Sequence, residues 1–188
     1  MQHVNPSSPH SAKPPVERRI NVMQGTCHVT GEPDVVLTTV LGSCIAVCLY
    51  DPFARVGGMN HFLLSQPTSH DHGSEAQRYG VYAMEVLVND MLKAGAARSR
   101  IKAHVYGGAN LHPGMRSIGS DNAAFAMQFL KEDGIPVMHS HVGGAEARRV
   151  DFRAASGQAR CKVVHNVVVK ERRIPPPATK GTGDVELF

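Results

Sequence analysis

Two apolar runs, residues 44–50 and 55–64, flank Asp51-Pro52-Phe53-Ala54, and no other feature limits the fold of this chain as tightly. The first run, Cys44-Ile45-Ala46-Val47-Cys48-Leu49-Tyr50, has the apolar and β-branched character of a buried strand. Asp-Pro opens a turn, because Pro presets φ and Asp bonds backbone N–H groups just downstream. The pattern predicts a β-hairpin inside a sheet. With the turn centred between Pro52 and Phe53, residue 44 falls opposite residue 61. Opposed residues on antiparallel strands share a face, with Cβ atoms about 4.5–5.5 Å apart. Cys44 and His61 are therefore expected to touch.

Around the hairpin the apolar period alternates between two and 3.6. Residues 34–41 form an apolar, β-branched run that Gly42-Ser43 breaks. Over 75–94, Met84, Leu87, Val88, Met91 and Leu92 recur at helical spacing, with Gly95 placed to end the helix. Residues 101–106 read as a strand ending in Gly107-Gly108. Ser120 or Asp121 is the expected cap of a second helix, whose apolar face is Phe125, Ala126, Phe129 and Leu130 and which stops at Gly134. Residues 137–142 form a strand, and 149–153 and 159–170 a hairpin about Ser156-Gly157. The expectation is an α+β fold, a layered α/β sandwich with mixed, largely antiparallel sheets, two main helices and about seven strands. Its 188 residues suit one domain over 20–173. A Pro-, Ser- and His-rich flexible arm over 1–19 and a loose tail over 174–188 flank that domain.

Composition enters through what it excludes. A net charge of +4, with basic residues not interleaved with aromatics, argues against nucleic acid as a partner. No stretch reaches the ~20 apolar residues that span a bilayer, and the first 20 residues lack a signal-peptide apolar core. The expectation is a cytoplasmic monomer with no membrane insertion, whose four cysteines are reduced thiols.

One of those thiols is the candidate nucleophile. An imidazole beside Cys44 favours the thiolate near neutral pH and makes His61 its base. The Gly42-Ser43 bend brings the N–H of Cys44 and a neighbouring N–H toward an incoming carbonyl oxygen, with Gly42 allowing close approach and an unusual φ. A third group should orient the imidazole. Thr38 and Thr39 stand in the strand before the bend; Thr38 is preferred and Thr39 is the alternative. Cys27, Cys48 and Cys161 read as small core residues. His139 and His141 share a strand face at i, i+2, a spacing open to zinc, but neither a His-Glu-x-x-His helix nor a Cys-x-x-Cys pair accompanies them, and no metal site is assigned.

The segment from Thr38 through Leu41-Gly42-Ser43-Cys44 to Pro52, followed by Gly57-Gly58-Met59-Asn60-His61, resembles the bacterial chemoreceptor glutamine deamidase family, CheD. Supporting similarity runs over about residues 20–172 and includes Gly107-Gly108-Ala109, Ile118-Gly119 and Asn122. The resemblance implies an α+β layered sandwich related to cysteine deamidases of bacterial toxins. It implies hydrolysis of glutamine side chains on methyl-accepting chemotaxis receptors to glutamate and ammonia, through a Cys thioester and without metal or cofactor. Cys44 is then the nucleophile, His61 the general base and acid, and Thr38 the third member. A chemotaxis phosphatase is the second partner the resemblance implies. The alternative it leaves open is a mainly binding or regulatory role toward the receptor or that phosphatase. The chain departs from the family pattern at Ala147, before Arg148, and at Ser120-Asp121, both away from the Cys–His motif.

Overall fold

A computed structural model describes residues 16–64, 74–111 and 118–165. Among these residues nine strands and two α-helices follow in chain order: β1 (Arg18–Asn21), β2 (Thr26–Thr30), β3 (Val35–Leu41), β4 (Ile45–Asp51), β5 (Val56–Phe62), α1 (Ser74–Lys93), β6 (Lys102–Gly107), α2 (Ile118–Glu132), β7 (Val137–Val142), β8 (Ala147–Arg153) and β9 (Gln158–Val164). They form a four-stranded sheet, order β1-β3-β8-β9, and a five-stranded sheet, order β2-β5-β4-β6-β7. The β1/β3 and β6/β7 pairs are parallel and the others antiparallel. The α+β layered architecture expected from the sequence is the one observed.

β4 explains the layering. Its odd residues, Ile45, Val47 and Leu49, pack with Met84, Leu87 and Met91 of α1 and Ala126 and Leu130 of α2. Its even residues, Ala46 and Cys48, together with Cys44 just before it, pack with Leu37, Leu41, Val150 and Phe152 of the other sheet. The order is therefore sheet, sheet, helices. A strand buried on both faces must be apolar throughout, and this is why 44–50 shows no polar alternation. Each of the fully buried Leu, Ile and Met side chains contributes roughly 1.5–3 kcal/mol through burial.

The hairpin forms, with a different register. Asp51 pairs with Val56, and His61 lies opposite Ala46 rather than Cys44. Asp51 Oδ1 accepts the N–H groups of Phe53 (2.9 Å) and Ala54 (3.1 Å), and Arg55 adopts φ 55°. That local cap draws residue 55 into the loop and moves the turn centre by one residue. The pairing then slips by two, which preserves the face. Cys44 and His61 become diagonal neighbours on one side of the sheet.

Other boundaries also differ from expectation. β1 and β2 were not foreseen. β1 is mostly exposed and four residues long, so it carries no apolar signature, and it begins inside the segment expected to be an arm. α2 starts at Ile118, with Ser120 already helical and its hydroxyl accepting Asn110 Nδ2 at 2.9 Å, so neither Ser120 nor Asp121 is the cap. The rest of the arm (1–15), the tail (174–188) and the proposed strand end (166–170) lie outside the described residues.

Candidate active site

Cys44 stands where the chain leaves β3 for β4, and the bend there is fixed through its carbonyls. Gly42 O accepts Ala109 N (2.9 Å), Cys44 O accepts Gly108 N (2.8 Å), and Ser43 O accepts Asn122 Nδ2 (3.1 Å). In a trans peptide the N–H points opposite to the C=O, and no cis bond is present among the described residues. The N–H groups of Ser43 and Cys44 are thus turned away from β6 and α2. Unusual φ does not belong to Gly42, as expected above, but to its neighbours across the bend, Gly107 (114°) and Gly108 (66°). A Cβ on Gly107 would sit 2.2 Å from Cys44 O. Only glycine lets the end of β6 lie against the Cys44 backbone.

Asn122 is a residue whose part in the site the sequence did not reveal. It is fully buried on α2, and besides holding Ser43 O it accepts Leu64 N (2.7 Å) and donates to Ile118 O (2.8 Å). Its position at the start of an amphipathic helix gave no sign of a link to the bend 79 residues away. Arg148 is another. It is buried, donates from Nη1 to Gly107 O (2.7 Å) and from Nε to His141 Nδ1 (2.9 Å), and also bonds Gly143 O. Burial lowers its pKa, while Cys161 and Glu146 act in the opposite sense.

His61 and Thr39 face each other across the two sheets. Thr39 Oγ1 donates to Val22 O at 2.9 Å and lies 2.9 Å from His61 Nδ1. His61 Nδ1 is also 3.3 Å from Val22 O. A carbonyl can only accept, and the Thr39 proton is already directed to Val22. Both contacts therefore place the ring proton on Nδ1, which makes Nε2 the basic nitrogen. Thr38 is not part of this arrangement. Its hydroxyl donates to Asp151 Oδ1 (2.8 Å), and that carboxylate is in turn bridged to Arg19 at 2.9 and 3.1 Å. Along β3, Val35, Leu37 and Leu41 enter the inter-sheet core. Thr39 is in phase with them and Thr38 is not, so Thr39 replaces the preferred candidate.

Cys44 is 1% exposed and His61 7%. The thiol donates to the side-chain oxygen of Gln24, 3.6 Å away. Tyr79 of α1 lies close by; burial pushes its phenol pKa up, and proximity to Cys44 adds to the rise. The other thiols are held in their neutral form. Burial raises Cys48, with Cys161 adding to it; burial and then Asp90 raise Cys27; burial raises Cys161 against the pull of Arg148.

A groove of about 550 Å3 lies away from this pair, lined by His104, Tyr106, His139, His141 and Cys161 among others. Two of its three imidazoles have fixed partners. His104 donates Nε2 to Gly157 O (3.0 Å) and stacks on Tyr50 at 5.0 Å, and burial lowers its pKa. His141 Nδ1 is taken by Arg148. Among the described residues no group of three His, Cys, Asp or Glu side chains is placed to hold a metal ion.

With this geometry in view, the chain can be set beside known proteins. The family model described as CheD chemotactic sensory transduction matches residues 63–163. A probable chemoreceptor glutamine deamidase CheD of Caulobacter vibrioides is 49% identical over 183 residues, covering 95% of this chain and 98% of its own. The protein of the same name from Zymomonas mobilis is 52% identical over 174 residues, covering 91% and 93%, and that from Agrobacterium fabrum 45% identical over 177 residues, covering 91% and 97%. Among solved structures, the hypothetical protein YfiH of Bacillus licheniformis superposes with a TM-score of 0.42 at 16% identity, over 63% of this chain and 51% of that one. On its matched length and its identity to these relatives, the chain belongs to the CheD family.

Proposed function

We propose that this protein hydrolyses glutamine side chains of chemotaxis receptors to glutamate and ammonia, with Cys44 as nucleophile and His61 as proton carrier. The observation that carries the reading is the arrangement of His61. Thr39 and Val22 hold its proton on Nδ1, on the strand face that Cys44 shares, so that Nε2 is the basic nitrogen. The names of relatives aligned over nearly the whole chain supply the substrate class.

The chemistry runs in two halves. Cys44 Sγ bonds to the carboxamide carbon, and His61 takes the thiol proton. Collapse breaks the C–N bond, and ammonia leaves with a proton from His61. Water, giving its proton to His61, then attacks the thioester, which releases glutamate and restores the thiol. Charge on the substrate oxygen in both halves falls to the N–H groups of Ser43 and Cys44, which Ala109 and Asn122 orient by bonding Gly42 O and Ser43 O on the far side of the same peptides. Thr39 serves by fixing the imidazole. The product carries one more carboxylate on the receptor, an electrostatic change of the kind that shifts a two-state signalling equilibrium.

The test is peptide mass spectrometry of a receptor cytoplasmic fragment incubated with the wild-type protein and with Cys44→Ala. A gain of about one mass unit at specific glutamines with the wild type alone is expected, since amide is exchanged for acid. Equal gain with Cys44→Ala would overturn the assignment of the nucleophile, and chain cleavage would make the protein a peptidase.

A further inference from the structure

The segment 22–25 joins β1 to β2 and thereby crosses from one sheet to the other, directly over the site. It is tied down on both sides. Val22 N donates to Thr38 O (2.9 Å), and Val22 O takes the Thr39 hydroxyl. Gly25, at φ 84°, donates its N–H to His61 O at 2.7 Å. Thr26 closes a turn onto Met23 O through both its N–H (3.1 Å) and its hydroxyl (2.8 Å). Gln24 sits between these anchors and has little freedom in where its side chain lands. It lands on the nucleophile, its carboxamide oxygen 3.6 Å from Cys44 Sγ, with the thiol as donor.

A primary carboxamide on the catalytic thiol is the functional group the enzyme is there to hydrolyse. The contact is made through the oxygen, with the thiol donating to it. A Cys44 that is 1% exposed also cannot receive a receptor side chain while this contact stands. Resting on the reading of Cys44 as nucleophile, we infer that Gln24 is an intramolecular stand-in for the substrate: its carboxamide occupies the seat of the receptor glutamine and is displaced by it.

Three consequences follow for the reaction. The site prefers a side chain that ends in a carboxamide, because only such a group regains the hydrogen bond that Gln24 gives up. The thiol is shielded from other electrophiles until a substrate arrives. Gln24, as a stand-in and not a substrate, keeps its own amide through turnover. Gln24 is thus a positioning and specificity residue, set by the anchored crossover.

The inference is tested with iodoacetamide, an alkylating agent that is itself a primary carboxamide. Alkylation of Cys44 is timed by peptide mass spectrometry in the wild type, Gln24→Ala and Gln24→Met. Cys48, fully buried in the same core, reports within each sample that the fold is intact. Removing this half-buried hydrogen bond and its cover should speed Cys44 alkylation about tenfold or more in Gln24→Ala. Gln24→Met keeps the bulk without the amide and should also be faster than wild type. The apparent KM for a receptor fragment should fall several-fold in Gln24→Ala, a larger change than that in kcat. Equal alkylation rates in all three proteins, with Cys48 unreactive, would overturn the inference. So would a Gln24→Met that alkylates as slowly as wild type, which would make Gln24 plain cover. A gain of one mass unit at Gln24 in the purified protein would make it a substrate and not a stand-in. None of these results depends on deamidation by Cys44→Ala, so failure of the inference and failure of the proposed function are read separately.

Discussion

Thr38 and Thr39 are adjacent and chemically identical, yet the structure gives them opposite consequences when the hydroxyl is replaced by a methyl group. In Thr39→Val, His61 Nδ1 loses its 2.9 Å partner and keeps the 3.3 Å approach to Val22 O, while Val22 O loses the Thr39 proton. A buried hydrogen bond lost in this way costs about 1–3 kcal/mol. If that cost falls on the orientation of the imidazole in the transition state, kcat/KM drops roughly 5- to 150-fold, at about 1.4 kcal/mol per tenfold. Thr39→Ser keeps the hydroxyl and should recover most of the activity. Thr38→Val breaks a bond to Asp151 on the other side of the strand, where Arg19 continues to hold that carboxylate, and should leave kcat/KM within about twofold. The assay is ammonia release from a receptor fragment. Imidazole 15N shifts accompany it and should show the Nδ1–H form in wild type and a loss of that preference in Thr39→Val. A crippled Thr38→Val beside an active Thr39→Val would refute the reasoning and return the role to the residue first preferred.

Two further outcomes follow from groups that build the site from a distance. Burial alone would raise the pKa of Asp51, but Arg100 and the N–H groups of Ala97, Ala54 and Phe53 outweigh it and hold the carboxyl well below the usual range. With the folded pKa depressed, its stabilisation is complete above the ordinary carboxylate pKa near 4 and is lost as the pH falls through the folded value. Asp51→Asn should therefore cost about 3 kcal/mol at neutral pH, and the gap from wild type should close in acid; a thermal melt series from pH 7 to pH 2.5 that keeps a constant gap would contradict this. Gly107→Ala puts a methyl group 2.2 Å from Cys44 O at a φ of 114°. It should lower stability by about 2 kcal/mol or more and cut deamidation further than the melt explains; unchanged kinetics would show that the bend tolerates displacement.

Much of this was legible in the sequence, and the exceptions have physical causes. The hairpin, both helices and the Cys44–His61 pairing onto one face follow from local patterning that any buried strand or amphipathic helix must show. The register differs because the Asp51 cap places the four loop residues at 52–55, one position later than the 51–54 turn that the Asp-Pro signal suggests. Thr38 is the member that the family resemblance implies, and two adjacent threonines in a strand with Val36 and Val40 on one face and Leu37 and Leu41 on the other cannot be told apart by alternation alone. β1 escaped notice because a short exposed strand gains its identity from its partner β3 and not from its own residues. Gln24, Asn122 and Arg148 act across 20 to 79 residues of chain, and long-range side-chain bonds leave no local trace.

The site draws Thr39 from one sheet and Cys44 and His61 from the other. Its geometry is therefore a reading of the gap between two layers, which in sheet-on-sheet packing is about 10 Å. The gap is set by Leu37, Met59, Val150 and Phe152, none of which does any chemistry. A methylene gained or lost among them changes the spacing by a fraction of an ångström and reaches the imidazole as a longer or shorter hydrogen bond. On the proposed mechanism, catalysis reads the state of the core: warming or a core substitution that loosens the layers should extinguish turnover while both sheets are still intact.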